Sequence, residues 1–132
     1  MKYMLDTNVL IKIIREAPDK ICSNLYQYTP KDICVSSITV AELMHGAEKS
    51  KKPDDNKLLV ALALSSFTVV DFDTSAAIEY GSIRNELEHE GNLIGQMDML
   101  IAAHARSLGV TLVTHNTKDF CRVENLKIED WQ

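Results

Sequence analysis

Cysteine is scarce in this chain, and the spacing of its cysteines excludes the common cysteine motifs. Cys22, Cys34 and Cys121 are odd in number and far apart, and no pair has the spacing of zinc ligands or of a Cys-x-x-Cys motif. A disulfide framework and a cysteine zinc site are therefore not expected. The pattern favours reduced, partly buried thiols in a cytoplasmic protein.

Long hydrophobic runs, repeats and low-complexity stretches are also missing. The longest apolar run covers residues 58–64, far too short to span a bilayer. The first residues contain no small-residue cleavage site after a signal-like core, so we expect no signal peptide. The sequence thus predicts a cytoplasmic protein that has no contact with membranes.

An excess of positive charge is likewise absent. The 132 residues carry 14 basic and 19 acidic side chains, a net charge of −5. This balance argues against a protein that coats nucleic acid by bulk attraction and favours acidic groups that recruit a metal or a basic partner. Length and an apolar content of 45% predict one globular domain over residues 1–132.

Apolar periodicity predicts alternating strands and helices. Short strands are expected at 3–5, 33–36, 67–70, 110–113 and near 126–128. Helices are expected at 9–14, 19–28, from a cap at Ser37, at 58–64 (largely buried, after a polar loop at 49–56), at 74–90 and from Gly95 to Gly109. Such alternation indicates an α/β fold, a three-layer α/β/α sandwich with a central, mostly parallel sheet of four to five strands.

Acidic residues occupy positions where such sheets place functional sites, beyond the carboxyl ends of the strands. Asp6 directly follows the first strand, and Asp119 follows the fourth within one helical turn. Asp98 falls at the edge of an apolar helical stripe, where an unpaired carboxylate is costly to bury. Simpler roles stay open, since Asp6 could cap a helix, Asp98 could meet a helix dipole, and Glu42 could be solvated.

Four sequence blocks resemble the PIN-domain nucleases, specifically the VapC toxins. They are MLDTN at 4–8, SSITVAELMHGA at 36–47, IGQMDMLIAAHA at 94–105 and THNTKDF at 114–120. They occur in the family's order and spacing, and the resemblance covers essentially the whole chain. It therefore implies a single PIN domain over residues 1–132 with a PIN-like sandwich fold.

The resemblance also implies a site and partners. Asp6, Glu42, Asp98 and Asp119 would form the acidic catalytic and metal site, with supporting roles for Thr7 and Asn116. Some branches of the family carry an acid at the position of Asn116, which leaves the ligation of a second metal open. The implied partners are an RNA substrate, which in some members is the anticodon stem-loop of tRNA, and a VapB-type antitoxin that carries the DNA-binding part. A toxin homodimer inside a larger complex is also implied.

Clustered carboxylates suit metal-dependent hydrolysis of phosphodiester bonds. They repel one another unless a cation is present, and oxygen ligands suit Mg²⁺ or Mn²⁺. Together with this chemistry, the resemblance implies a toxin endoribonuclease. Two alternatives stay open: a catalytically silent PIN-fold binding module, and a nuclease directed at DNA. A phosphatase of the haloacid dehalogenase type is disfavoured, because it needs a second Asp where this chain has Asn8.

Residues that bind the substrate are harder to identify from the sequence. The basic side chains are scattered, and most are expected to lie on solvated helix faces. The densest basic stretch, at residues 49–52, could contact phosphates. His104 falls on the apolar stripe shared with Ile94, Met97 and Ile101, and it is expected to be a core histidine.

Overall fold

Five short strands form a parallel sheet at the centre of the structure, a computed structural model that describes residues 1–132. The strands are β1 (Tyr3–Leu5), β2 (Ile33–Ser36), β3 (Thr68–Val70), β4 (Thr111–Val113) and β5 (Ile128–Glu129). Their order across the sheet is β3-β2-β1-β4-β5, and every pairing is parallel. The predicted α/β architecture with four to five strands is confirmed.

Seven helices connect and cover the strands. They are α1 (Thr7–Glu16), α2 (Asp19–Leu25), α3 (Ser37–Glu48), α4 (Pro53–Leu64), α5 (Thr74–Glu90), α6 (Gln96–Leu108) and α7 (Thr117–Phe120). None combines the length and the hydrophobicity that a bilayer crossing demands.

Alternating side chains of the strands build two separate cores, because successive residues of a strand point to opposite faces. Met4, Cys34 and Leu112 pack with α5 and α6 on one face of the sheet. Leu5 and Val35 point the other way and pack with residues of α1 to α4. The sheet is thus buried on both sides, which is usual for parallel sheets.

Polar side chains fix where the helices begin. The Asp6 carboxylate accepts a hydrogen bond from the Thr7 amide at the start of α1, and Asp73 caps α5 through the Ala76 amide. Helix α3 is capped by Ser36, whose hydroxyl accepts from the Ile38 amide. Ser37, the predicted cap, instead accepts a hydrogen bond from the Phe72 amide through its hydroxyl.

Helix α4 differs most from the expectation. It begins at Pro53, inside the predicted polar loop, because proline suits the first helical turn and Asp54 and Asp55 follow it there. The expectation that residues 58–64 are largely buried is wrong. Leu58, Leu59 and Leu62 are 50–61% exposed, and only Val60 of this helix is buried.

Smaller differences concern helix ends and one member of an apolar stripe. Helix α2 ends at Leu25, three residues before the predicted end. Met97 lies on the predicted stripe of α6, yet it is 46% exposed. It sits in the first turn of α6, before Met99, the first buried residue of that helix.

Candidate active site

The chain order places a crevice between β1 and β4. The chain runs from β1 outward to β2 and β3 and later returns to the other side of β1 as β4. Ligands of open parallel sheets bind at such a switch point, outside the carboxyl ends of the strands. Asp6 follows β1 and Thr114 follows β4 at this point, and the Thr114 hydroxyl donates a hydrogen bond of 2.8 Å to Asp6 Oδ2.

Asp6 is the most firmly held carboxylate of the site. Only 2% of the residue is exposed, and the Thr7 amide donates to its Oδ1 at 2.8 Å. Burial raises the pKa of Asp6 above its usual range, although the hydrogen bonds from Thr114 and Thr7 oppose the shift. Each oxygen accepts one hydrogen bond, which leaves lone pairs for a further ligand.

Glu42 is tied to the same site through two threonines. The Thr7 hydroxyl donates to Glu42 Oε1 at 2.7 Å and lies 3.0 Å from the Thr39 hydroxyl. A hydroxyl has one proton to donate, so Thr39 must donate to Thr7. Glu42 is therefore a half-buried, hydrogen-bonded residue, and the solvated position that helical periodicity suggested is wrong.

Asp98 enters from the first turn of α6. It is half-buried, and burial raises its pKa to about 6, with further contributions from the negative charges of Asp6, Glu42 and Asp119. The structure thus brings all four predicted acids into one electrostatic neighbourhood. The charges of all three other acids add to the effect of burial on the pKa of Asp98.

Asp119 lies in α7 and is oriented by its neighbours. The Asn116 side-chain amide donates to Asp119 Oδ2 at 3.1 Å, and the Arg122 guanidinium lies 3.7 Å from Asp119 Oδ1. The Asn116 backbone amide donates to the Thr114 hydroxyl at 2.9 Å. One hydrogen-bonded chain therefore runs from Asp6 through Thr114 and Asn116 to Asp119.

The donor set fits a hard divalent cation that keeps part of its water. The four acids offer only oxygen ligands, which suit Mg²⁺ or Mn²⁺. No three His, Cys, Asp or Glu side chains converge closely enough to hold an ion by themselves. Mg²⁺ is usually bound by one or two carboxylates together with several waters and substrate phosphates, so an open arrangement is compatible with it.

Sequence reasoning missed the residues that orient these acids. Thr114 and Thr39 are fully buried and lie inside the four sequence blocks, but their types alone gave no signal of a role. The position of Thr114 directly after β4, the counterpart of Asp6 after β1, was the available clue. His104 is the predicted core histidine: it is fully buried, and its Nδ1 lies 2.7 Å from the Ser36 hydroxyl.

Comparisons with known proteins identify the family of this chain. The model of the PIN domain matches residues 3–126. The chain is 47% identical over 131 residues to Ribonuclease VapC2 of Haemophilus influenzae, covering 99% of this chain and 98% of the relative. It is 44% identical, with the same coverage, to the tRNA(fMet)-specific endonuclease VapC of Salmonella typhimurium.

A solved structure extends the likeness to three dimensions. The DNA-bound VapBC of Salmonella typhimurium contains a chain that is 43% identical to this one, with a TM-score of 0.96 and coverage of 100% of this chain and 99% of that one. The chain belongs to the PIN-domain family and, within it, to the VapC ribonucleases.

Proposed function

We propose that this protein is the toxin ribonuclease of a toxin–antitoxin pair and that it cleaves RNA at the site formed by Asp6, Glu42, Asp98 and Asp119. The observation that carries the proposal is that hydrogen bonds link Asp6, Glu42 and Asp119 at the switch point; burial and the charges of these three acids also raise the pKa of Asp98. Such crowding of carboxylates at a switch point disfavours their ionisation unless a cation binds.

The proposed cofactor is Mg²⁺ or Mn²⁺. PIN-domain ribonucleases in general depend on divalent metal. When bound, such an ion would activate a water for attack on the phosphodiester and neutralise charge on the phosphoryl and leaving oxygens.

The protein's own residues prepare the site. Thr114 and the Thr7 amide hold both oxygens of Asp6 at the rigid end of β1, and Thr7 holds Glu42. Asn116 donates a hydrogen bond to Asp119, and these contacts support the proposed supporting roles of Thr7 and Asn116. Groups that orient ligands in this way typically change metal affinity or activity 10- to 100-fold when removed.

The proposed substrate class is tRNA, and the proposed regulator is a VapB-type antitoxin. The first rests on relatives named as tRNA(fMet)-specific endonucleases, at 41% and 44% identity. The second rests on solved VapBC complexes, some bound to DNA. DNA would be reached only through the antitoxin, and the toxin is proposed to form a homodimer within the complex.

Incubation of the purified, antitoxin-free protein with total bacterial RNA tests this function. We expect discrete fragments that require Mg²⁺ or Mn²⁺, that derive from tRNA and that are absent with the Asp6→Asn variant. A matched single-stranded DNA pool should stay intact. Equal cleavage of the DNA would favour the DNA-directed alternative. No cleavage of any RNA by the wild-type protein would favour a silent binding module.

A further inference from the structure

A groove leads away from the acidic site between α1, α3 and α4. Its volume is about 870 Å³, and Thr7, Glu42 and Met97 line the end at the acidic site. Since Glu42 belongs to both the groove and the site, a chain bound in the groove would continue directly into the site.

Helices α1 and α3 form the two long walls of the groove, and each wall carries a cation at the end away from the acidic site. On α3, Glu42, His45 and Lys49 follow one another at i, i+3 and i+7 and all line the groove. On α1, Asn8 and Arg15 do the same at a spacing of seven residues. Seven residues of helix span about 10 Å, so Lys49 and Arg15 lie about two helical turns from the acidic end.

The end of α3 is fixed, which holds Lys49 beside the groove. The Ser50 hydroxyl donates to the Ala47 carbonyl at 2.6 Å and accepts from the Asn56 side-chain amide at 2.8 Å. Neither Lys49 nor Arg15 has a carboxylate within salt-bridge distance, whereas Lys57 and Arg122 are paired with acids. Both cations are exposed and are free to meet an anionic ligand.

The charge of this groove differs from that of the whole chain. The chain has a net charge of −5, yet the groove is lined by two permanent cations and by a single acid, Glu42, at the catalytic end. No Phe, Tyr or Trp side chain lines it, and the imidazole of His45 is the one ring there on which a base could stack. Eight of the 17 lining residues are hydrophobic, so the groups that fit the backbone phosphates of a strand are the two cations at the ends of the walls.

We propose that Arg15 and Lys49 bind phosphates of the RNA strand next to the phosphodiester that is cleaved. The groove thereby places this phosphodiester at the four acids. This proposal rests on the proposed ribonuclease function. Both cations would act on any sequence, because a phosphate contact carries no sequence information. A simpler role is that each cation only offsets the dipole at the end of its own helix, and binding measurements separate the two roles.

The test is the salt dependence of RNA binding, measured without cleavage. Fluorescence anisotropy of a labelled decauridylate is recorded in EDTA from 50 to 400 mM NaCl with the wild type, Arg15→Gln, Lys49→Gln and Lys49→Arg. Lys31→Gln is the control, because Lys31 is an exposed lysine just before β2, at the opposite end of the sheet.

Each lost phosphate contact should reduce the slope of log K against log salt by about 0.7, which corresponds to about fivefold weaker binding at 100 mM. We therefore expect this change in Arg15→Gln and Lys49→Gln, recovery in Lys49→Arg and no change in Lys31→Gln. An unchanged slope in both glutamine variants, or no binding by the wild type, would overturn the proposal. Failure of the ribonuclease function is distinguishable, since it would appear as absent cleavage with Mg²⁺ or Mn²⁺ while these binding changes persist.

Discussion

Replacing Asp98 with asparagine should stabilise the metal-free protein. The folded protein holds the pKa of Asp98 at about 6, against a usual value of 3.8. Between these two values the folded state binds more protons than the unfolded state, so stability falls as the pH rises through this window. Asparagine resembles the protonated acid in shape and does not pay this cost.

The size of the effect follows from the two pKa values. Linkage gives a cost of about 3 kcal/mol at pH 7.5 and about 1 kcal/mol at pH 4.5 for the wild type. In a domain of this size, the larger value corresponds to a rise in Tm of roughly 10 °C for Asp98→Asn at pH 7.5. These are upper values, because an acid in the first turn of a helix also gains about 0.3–1 kcal/mol from the dipole.

Thermal unfolding in EDTA at pH 7.5 and pH 4.5 measures this effect. The matched control is Asp55→Asn, since Asp55 is also an acid in the first turn of a helix but is exposed. It should lose a few tenths of a kcal/mol. The reasoning is refuted if Asp98→Asn lowers Tm at pH 7.5, or if its gain is the same at both pH values.

Three further predictions concern the residues around the site and the exposed face of α4. Thr114→Val should cost about 1–3 kcal/mol in denaturant unfolding, because it leaves the buried Asp6 oxygen without its donor; a loss no larger than that of Thr111→Val would contradict the role of this bond. Thr7→Val should weaken Mn²⁺ binding about 10- to 100-fold by calorimetry, and unchanged affinity would remove Thr7 from its supporting role. Leu62→Ser should change the free energy of unfolding by less than about 0.5 kcal/mol, whereas Val60→Ala should cost about 1–3 kcal/mol; similar losses would mean that α4 is covered.

Much of the fold could be predicted from local pattern. Residues 33–35 are apolar on both faces of the strand, because the parallel sheet is covered on both sides. Glycine at 91 and 109 ends α5 and α6 with positive φ angles of 67° and 69°, a conformation that glycine adopts without strain. These signals lie within a few neighbouring residues, so the sequence displays them directly.

The burial of α4 could not be predicted in the same way. A run of leucine and alanine resembles a buried helix, but burial depends on which elements pack against it, and here only Val60 is buried. Leu58, Leu59 and Leu62 are left exposed, and of these only Leu59 lines the groove. Helical periodicity contains no information about such partners.

Only part of the candidate site could likewise be predicted from the sequence. Asp6 and Asp119 could be placed from their positions after strands, since the carboxyl ends of parallel strands meet at one edge. Glu42 could not, because its link to the site passes through the Thr7 hydroxyl, a contact between residues 35 positions apart. The raised pKa of Asp98 likewise depends on its burial and on three acids of other elements.

The central claim is that the four acids together hold a divalent ion. Titration of Mn²⁺, followed by electron paramagnetic resonance, tests it directly on the wild type and on Asp6→Asn, Glu42→Gln, Asp98→Asn and Asp119→Asn, with Asp55→Asn as the control. We predict saturable binding by the wild type and by the control, and a loss of at least tenfold in affinity in each of the four site variants. Absence of binding by the wild type, or affinity in the four variants equal to that of the control, would contradict the account.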